Sequence, residues 1–277
     1  MFLITGATGN VGRALIDRLL MAGAGVRALS RNPAAGRLRR DVDTVSVRQG
    51  RFPLDEVTTV FLNPAAVHDT ADALLTQAMS HGVRRIVLLS SSSVLDDHPD
   101  NHTGIAHRDL EERIQRTGLE WTFLRAGVFA TNTLWWLPQI HADGVVHAAH
   151  ADARIAPIHE HDLAAAAAQA MLSDDLVGAA PVLTGPELLT QAEQAKLIGD
   201  AIGKPVRFEE ITPTSAKRLM TSQHMPSHIA DSLLRYYHRA VLQLIHLTPV
   251  STIVTSEKPR SYRQWVLDHI ADLRPGN

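Results

Sequence analysis

Thr5-Gly6-Ala7-Thr8-Gly9-Asn10-Val11-Gly12 is the stretch of sequence that decides the fold. It follows an apolar run of strand length, residues 1–5, and opens a segment with helical spacing, residues 11–21. In that setting three spaced glycines are typical of a phosphate-binding turn rather than of an ordinary glycine-rich loop. They allow a tight turn, a close approach of backbone N–H groups to a pyrophosphate, and close helix packing. We therefore predict that a dinucleotide binds at Gly6, Thr8, Gly9, Asn10, Val11 and Gly12.

Apolar runs of strand length alternate with segments of helical spacing beyond this stretch. The runs lack polar alternation, which is typical of strands buried on both faces of a parallel sheet. The predicted strands are 1–5, 26–29, 44–47, 60–62, 86–89, 121–125 and 181–183, and the predicted helices between them are 11–21, 66–81, 105–117 and 163–172. This order predicts an α/β fold, a Rossmann-type doubly wound parallel sheet, for a dinucleotide-binding domain over residues 1–185.

The last third of the sequence lacks the alternation of apolar strands and helices. Short amphipathic segments dominate it, and the predicted helices are 191–202, 214–221, 229–242 and 262–273. We predict a small, mostly helical C-terminal lobe over 186–277 that forms the substrate pocket, with 128–157 contributing in part. Trp135 and Trp136 are either core of that lobe or a flat wall for an aromatic ligand.

Composition excludes several classes of protein. With 27 Lys+Arg against 29 Asp+Glu, the net charge of −2 gives no basic excess for nucleic acid or an anionic membrane. The sequence has no Cys, which removes disulfides, thiolate nucleophiles and Cys-ligated metals. No apolar run approaches the length of a membrane span, and no basic leader precedes the first strand. We expect a cytoplasmic protein.

The end of the second predicted strand bears on the choice of dinucleotide. NAD sites place a carboxylate there for the ribose 2′-hydroxyl, but this sequence has Ser30 and Arg31. A guanidinium can pair with a 2′-phosphate, so NADP(H) is expected in preference to NAD(H). The alternative is that Arg31 is a solvated turn residue. Asn63, at the end of the fourth strand, is expected near the ribose, or it starts a turn before Pro64.

Several blocks resemble the NmrA-like branch of the short-chain dehydrogenase/reductase superfamily. They are residues 5–12, 26–33, 118–125, 156–163, 183–190 and 259–265, so the resemblance covers most of the chain. It implies an extended Rossmann fold with a small lobe over the nicotinamide end. It also implies that Ser90 contacts the cofactor and that Val128 and Phe129 adjoin the nicotinamide. Residues 125–127 read Arg-Ala-Gly where that branch usually has Arg-Pro-Gly, so the backbone path there is less constrained.

The Tyr and Lys pair that passes a proton in the wider superfamily is missing. The three tyrosines are Tyr236, Tyr237 and Tyr262, and none has a Lys four residues later. His107 and Glu111 lie on the corresponding helix, four residues apart and hence on one face. His107 is a candidate proton donor whose charged form a nearby Glu111 would favour. The alternative is a polar pocket wall with no proton role.

Ser90 to Ser93 follow the fifth strand, where the superfamily has its catalytic serine. Ser91 or Ser92 is therefore a candidate to bond a substrate carbonyl, and the alternative is a polar loop that contacts the cofactor ribose. Among the 15 His, none has the His-Glu-x-x-His spacing of a helical zinc site, so no metal is predicted. The resemblance implies that His159 and His161 lie on the loop that closes the substrate pocket.

Three functions remain after these observations. The first is an NADP(H)-dependent oxidoreductase acting on a quinone, an enone or a similar aromatic or conjugated acceptor, which accepts hydride with little help from a side-chain acid. The second is a redox sensor that binds the dinucleotide and regulates a partner protein, as the resemblance also allows. The third is a tailoring enzyme of secondary metabolism. A cavity filled by Trp135, Trp136 or Phe129 would favour the sensor.

Overall fold

The computed structural model describes residues 1–30, 38, 42–46, 50–243 and 257–274. Its central sheet has seven strands, which are β1 (Phe2–Thr5), β2 (Val26–Leu29), β3 (Asp43–Val45), β4 (Thr59–Leu62), β5 (Arg85–Ser91), β6 (Glu120–Ala126) and β8 (Val182–Leu183). The order is β3-β2-β1-β4-β5-β6-β8, and every neighbouring pair is parallel. The predicted doubly wound parallel sheet is confirmed.

The helices follow the strands in alternation in the first two thirds of the chain. They are α1 (Asn10–Met21), α2 (Pro64–Val67), α3 (Ala71–Ser80), α4 (His102–Arg116), α5 (Leu137–Ala142) and α6 (Glu160–Leu172). Those nearer the C-terminus are α7 (Gln191–Ile202), α8 (Pro213–Ser222), α9 (Ser227–Val241), α10 (Tyr262–Asp268) and α11 (Ile270–Leu273). Among the described residues, no helix is long and apolar enough to cross a membrane.

Two apolar layers cover the two faces of the sheet. Neighbouring residues of a central strand alternate between them, as Ile4 packs into one layer and Leu3 into the other. Helices α1 and α6 form the first layer, and α3 and α4 belong to the second. The alanines of α6 are buried in the first layer, because a side chain without bulk lets the helix lie close to the sheet.

Two predicted helices are interrupted in the structure. The segment predicted as one helix over 66–81 consists of α2, a 3₁₀ turn at His68–Thr70, and α3. The hydroxyl of Thr70 donates a hydrogen bond to the Val67 carbonyl at 2.5 Å across this break. The segment predicted over 262–273 breaks at His269, whose Nδ1 lies 3.0 Å from the Trp265 carbonyl oxygen.

A small sheet near the C-terminal helices was not predicted. Strands β7 (Val145–Ala148) and β9 (Arg207–Glu210) pair in parallel. Most of β9 is exposed and charged, so its sequence lacks the apolar signal of a buried strand. This sheet adjoins an apolar cluster to which both the 130–148 segment and the C-terminal helices contribute, including Trp136, Ile198 and Trp265.

The strand order places a crevice between β1 and β4. From β1 the chain proceeds outward to β2 and β3 on one side, and then returns to β4, β5 and β6 on the other. In open parallel sheets of this kind, ligands bind outside the carboxyl ends of the strands where the winding direction reverses. The residues that follow β1, β2, β4, β5 and β6 therefore share one edge of the molecule.

Candidate functional site

The glycine loop after β1 has the backbone that a phosphate-binding turn requires. Gly6 has φ +65°, and a Cβ built on it would lie 2.7 Å from Asn63 Nδ2. A Cβ on Gly12 would lie 2.3 Å from the carbonyl oxygen of Gly6. A larger residue at either position would therefore displace the loop or its neighbours. The loop is closed by a hydrogen bond from the Gly9 N–H to the Gly6 carbonyl oxygen at 3.0 Å.

The N-terminus of α1 fits a phosphate group. Its N-cap is Gly9, so no side chain caps the first N–H groups, and the first turn has no acidic residue. Gly9 and Asn10 are exposed, whereas Val11 and Gly12 are buried. The partial positive charge of a helix N-terminus favours an anion at this position. The residues present thus suit the pyrophosphate of a dinucleotide.

A cavity of about 260 Å³ adjoins this loop, and we call it the glycine-loop cavity. Its lining consists of Gly6, Thr8, Leu29, Ser30, Ser46, Phe52, Ala66, Val67 and Thr70. Of these described residues none is acidic. Arg31, the residue predicted to select NADP(H), lies outside the described residues.

Asn63 has a supporting position beside this cavity. Its backbone N–H donates to the Thr5 hydroxyl at 2.7 Å, and its Oδ1 accepts the Ala65 N–H at 3.1 Å. Asn63 therefore starts the short helix α2, as one of the two sequence alternatives states. The same side chain packs against Gly6, so it lies at the cofactor edge as well.

A second cavity, of about 160 Å³, lies where β5 and β6 end, and we call it the α9 cavity. Its lining consists of Ser91, Ser92, Ser93, Thr103, Ala126, Gly127, Val128, Asn132, Trp135, Met225, Ile229, Ser232, Leu233 and Tyr236. Of these described residues none is charged. The walls are mainly apolar, and several hydroxyl groups and one amide interrupt them.

Helix α9 lines this cavity. The predicted helix 229–242 was assigned to the lobe that forms the substrate pocket, but none of its residues was predicted as a site residue. Ile229, Ser232, Leu233 and Tyr236 have the i, i+3, i+4, i+7 spacing of one helical face, and all four line the cavity. That spacing was visible in the sequence, but it does not say which neighbour the face meets. Arg235, on the same helix, holds α9 in place through two hydrogen bonds to Asp96, at 2.5 and 3.1 Å.

Ser91 lies at the end of β5 and lines the α9 cavity. Its Oγ accepts hydrogen bonds from the Ser93 N–H at 3.2 Å and the Ser93 hydroxyl at 2.8 Å. Its own proton is thus left for another acceptor. Thr103 and Ser232 also line the cavity, but their hydroxyls pair with each other at 2.5 Å.

Glu111 has a partner that the sequence analysis did not foresee. Its carboxylate accepts two hydrogen bonds from Arg125, from Nε at 3.0 Å and from Nη2 at 2.6 Å. Ser90 donates its hydroxyl to the same carboxylate at 2.6 Å. Both Glu111 and Ser90 are buried beneath the ends of β5 and β6. The geometry makes Glu111 and Ser90 parts of a support for those strand ends, whereas a contact of Ser90 with the cofactor stays a prediction.

His107 lies between this support and the cavity. Thr103, His107 and Glu111 follow one face of α4 at four-residue spacing. Burial lowers the pKa of His107 below its usual value, and the charge of Glu111 only partly opposes the shift. The carboxylate of Glu111 therefore favours a charged imidazole, as expected, but burial outweighs this effect and the pKa of His107 is lowered overall. His107 Nδ1 is buried without a hydrogen-bond partner, and His107 does not line the α9 cavity.

The segment after β6 is fixed in spite of its departure from Arg-Pro-Gly. The Gly127 N–H donates to the Leu183 carbonyl oxygen, and the Ile158 N–H to the Val128 carbonyl oxygen, both at 2.9 Å. Val128 lines the α9 cavity, whereas Phe129 is outside that lining and packs against the core layer of α1 and α6.

The two adjacent tryptophans have different surroundings. Trp135 lines the α9 cavity with 38% of its surface exposed. Trp136 is buried in the lobe's apolar cluster. One is therefore a cavity wall and the other is core.

His159 does not belong to a loop over the cavity, contrary to expectation. It is 1% exposed and caps α6, and its Nε2 lies 3.2 Å from Asp268 Oδ2 on α10. Beside it, Glu160 accepts a hydrogen bond from Trp265 Nε1 at 3.1 Å and lies 3.0 Å from His269 Nε2. Among the described residues, no three His, Asp or Glu side chains are arranged to hold a metal ion.

Comparison with known proteins places this geometry among NAD(P)H-dependent reductases. The chain is 32% identical to (4-alkanoyl-5-oxo-2,5-dihydrofuran-3-yl)methyl phosphate reductase of Streptomyces griseus, over 99% of this chain and all of that protein. It is 29% identical to the NAD(P)H azoreductase of Xenophilus azovorans, over 98% of each chain. The NADPH complex of an NADPH-dependent quinone oxidoreductase from Escherichia coli has the same fold. Its TM-score is 0.81, at 23% identity over 98% of this chain and 100% of that one.

A family described as NAD(P)H-binding matches residues 6–174, which begin at the first glycine of the loop and end just after α6. The match includes every strand of the central sheet between β2 and β6. Since it covers more than half of the chain, the protein belongs to the NAD(P)H-binding family.

Proposed function

We propose that this protein is an NADP(H)-dependent reductase of a quinone, an enone or a similar conjugated acceptor. The observation that carries the proposal is the pairing of two cavities at one sheet edge. The glycine-loop cavity lies beside the open N-terminus of α1, and the α9 cavity lies where β5 and β6 end. A dinucleotide with its pyrophosphate at the loop would direct its nicotinamide along this edge, toward the α9 cavity.

The α9 cavity suits an uncharged, flat acceptor. Ala126, Val128, Trp135 and Leu233 supply apolar contact, and no described lining residue carries a charge. A bound NADPH would supply the hydride there. The residues of the chain would position the acceptor, and a conjugated acceptor needs no Tyr and Lys pair to accept a hydride.

The relatives support a conjugated acceptor. The name of the Streptomyces relative contains a 5-oxo-2,5-dihydrofuran ring with an alkanoyl group, which is a conjugated carbonyl. The names of the other two contain an azo group and a quinone. In this chain, the open α9 cavity favours turnover over a sensor, because Trp136 and Phe129 do not fill it and Trp135 forms only one wall.

The preference for NADP(H) rests on the residues that follow β2. Ser30 lines the glycine-loop cavity, and none of the described lining residues is a carboxylate that would bond a ribose 2′-hydroxyl. Arg31 follows directly in the sequence. Arg31→Ala should weaken NADPH binding about thirtyfold and leave NADH binding nearly unchanged, since only NADPH has the 2′-phosphate. Equal losses for the two dinucleotides, measured by titration, would refute the preference.

The function itself is tested by titration with both dinucleotides, followed by NADPH oxidation with a panel of quinones and enones. Tight NADPH binding with oxidation of one acceptor class would support the reductase. Tight binding without oxidation across the panel would favour the sensor, and the experiment would then turn to a partner protein.

A further inference from the structure

Tyr236 lines the α9 cavity, although the sequence did not predict it as a site residue. It lies far along the chain from the predicted site residues, and it has no Lys four residues later. It belongs to α9, more than a hundred residues beyond β6, yet it lines the cavity together with Ser91 and Val128. Its hydroxyl oxygen is 3.4 Å from the position that a Cβ on Gly127 would occupy. The phenol hydroxyl therefore lies close to Gly127, the residue that follows β6.

The hydrogen bonding of the Tyr236 hydroxyl determines whether its proton is available for a bound acceptor. A backbone hydrogen bond with Val128 lowers the pKa of the phenol, which is the direction that an N–H donor to its oxygen produces. The phenolic proton is not used in that bond. Burial has the larger effect and raises the pKa of Tyr236 to about 12, so the phenol stays protonated at neutral pH.

We propose that the Tyr236 hydroxyl donates a hydrogen bond to the carbonyl oxygen of the acceptor, where negative charge accumulates during reduction. This rests on the proposed function. Hydride addition to a quinone or an enone breaks a carbon–carbon or carbon–oxygen π bond and leaves an oxyanion. The oxyanion then takes a proton from water to give the hydroquinone or the saturated carbonyl compound. Tyr236 keeps its own proton throughout and acts as a donor, so it needs no ammonium partner.

Tyr236 is better suited to this role than the neighbouring hydroxyls. The hydrogen bond between Thr103 and Ser232 uses the proton of one of these two alcohols and leaves the proton of the other, and Ser93 donates to Ser91. Ser91 retains a proton, but an alcohol is a weaker hydrogen-bond donor than a phenol, which is several orders of magnitude more acidic. In a cavity with mainly apolar walls, a fixed donor aimed at a developing oxyanion stabilises the transition state more than it does the ground state.

The test uses Tyr236→Phe with Tyr237→Phe as its matched control. The two tyrosines are adjacent on α9, but Tyr237 is buried in the lobe core and does not line the α9 cavity. With a quinone, Tyr236→Phe should lower kcat about a hundredfold and leave the dissociation constant of NADPH unchanged. Tyr237→Phe should retain the wild-type kcat.

A second readout does not depend on turnover. 4-Nitrophenol, titrated against the complex with NADP⁺, reports by its absorbance how strongly the site favours an oxyanion. The apparent pKa of the bound nitrophenol should be higher in Tyr236→Phe than in the wild type by about one to two units. Tyr237→Phe should match the wild type. A merely structural role for Tyr236 would lower kcat without moving this pKa.

The outcomes separate this inference from the proposed function. If the wild type reduces a quinone and Tyr236→Phe matches Tyr237→Phe in both readouts, the donor role is refuted and the reductase stands. If no acceptor is reduced but the nitrophenol pKa depends on Tyr236, the reductase is refuted, and Tyr236 is a donor to a bound oxyanion with no role in reduction. Failure of 4-nitrophenol to bind the NADP⁺ complex, or a kcat loss without a pKa shift, would overturn the donor role.

Discussion

The glycine-loop cavity takes its form from backbone, whereas the α9 cavity takes its form from side chains. In the first, Gly6, Gly9 and Gly12 lie within seven consecutive residues and leave helix N–H groups open to an anion. In the second, the walls come from the ends of β5 and β6, from α4 and from α9. The first cavity is thus specified locally, while the second exists only when distant segments of the chain are packed together.

This difference between the two cavities suggests how substitutions would change the selectivity of each. A backbone cradle binds any pyrophosphate and depends on the absence of side chains at a few positions. A cavity lined by side chains can change its shape with each substitution on α9, without disturbing the cradle. Selectivity for the acceptor is therefore expected to reside in α9, and selectivity for the dinucleotide in the residues after β2.

The largest expected effect lies beneath the α9 cavity. Glu111→Ala removes the partner of Arg125 and of the Ser90 hydroxyl, and it should lower the free energy of unfolding by about 3 kcal/mol, since the partly buried guanidinium and the buried hydroxyl both lose their acceptor. Chemical denaturation measures this loss. The control is Glu112→Ala on the same helix, whose ion pair with Arg116 is exposed and contributes less than about 1 kcal/mol. Equal, small losses in both variants would show that Glu111 is not a support and would return it to the catalytic candidates.

The next effect concerns the backbone cradle. A Cβ on Gly9 would lie 3.2 Å from the Gly6 carbonyl oxygen, and the branches of Val would cover the N-terminus of α1. Gly9→Val should weaken NADPH binding at least about a hundredfold, close to 2.7 kcal/mol, by blocking the phosphate. Gly9 is exposed and has φ −77°, which Val adopts readily, so the melting temperature should change little. Wild-type affinity in a titration of this variant would refute the phosphate role of the loop.

The smallest effect concerns the junction of α6 with the C-terminal helices. Burial lowers the pKa of His269, but its hydrogen bond and charge interaction with Glu160 outweigh burial and raise it overall. Burial raises the pKa of Glu160, but hydrogen bonds with His159 and His269 lower it overall. A raised His pKa adds stability that is present below the unfolded value near 6.5 and is lost as pH rises through the folded value. The Glu160 contribution is present above about pH 4.5 and is lost in acid.

His269→Gln should therefore be destabilised relative to the wild type by about 1 kcal/mol at pH 6 and by less at pH 9. Denaturation of both proteins at the two pH values gives this difference. Comparing the two proteins at each pH cancels the contributions of His107, His150 and His161, whose pKa values are lowered and whose effects on stability have the opposite sign. A difference that does not depend on pH would show that the His269 contact is uncharged.

The strand and helix pattern of the first two thirds could be predicted because burial on both faces leaves a continuous apolar signal in each strand. The ends of elements were less accurate, as for α4, which begins at His102 because Asn101 caps it, and not at Ile105. Strand β9 escaped prediction because its residues, Arg207–Glu210, are mostly exposed and pair only with β7. Strand β9 forms because it pairs with β7, and not because its own residues have the pattern of a strand.

The features of the candidate site also fall into two groups, those that the sequence predicted and those that only the structure shows. The sequence alone determined that glycines lie between the first strand and the next helix with the spacing that predicts a phosphate-binding loop. It also determined that no Tyr and Lys pair is present. Only the tertiary structure decided that Glu111 pairs with Arg125, that Phe129 packs against the core layer of α1 and α6, and that Tyr236 joins Ser91 in one cavity. The physical reason is that backbone conformation depends on neighbouring residues, whereas a side chain's partner depends on which segment packs against it.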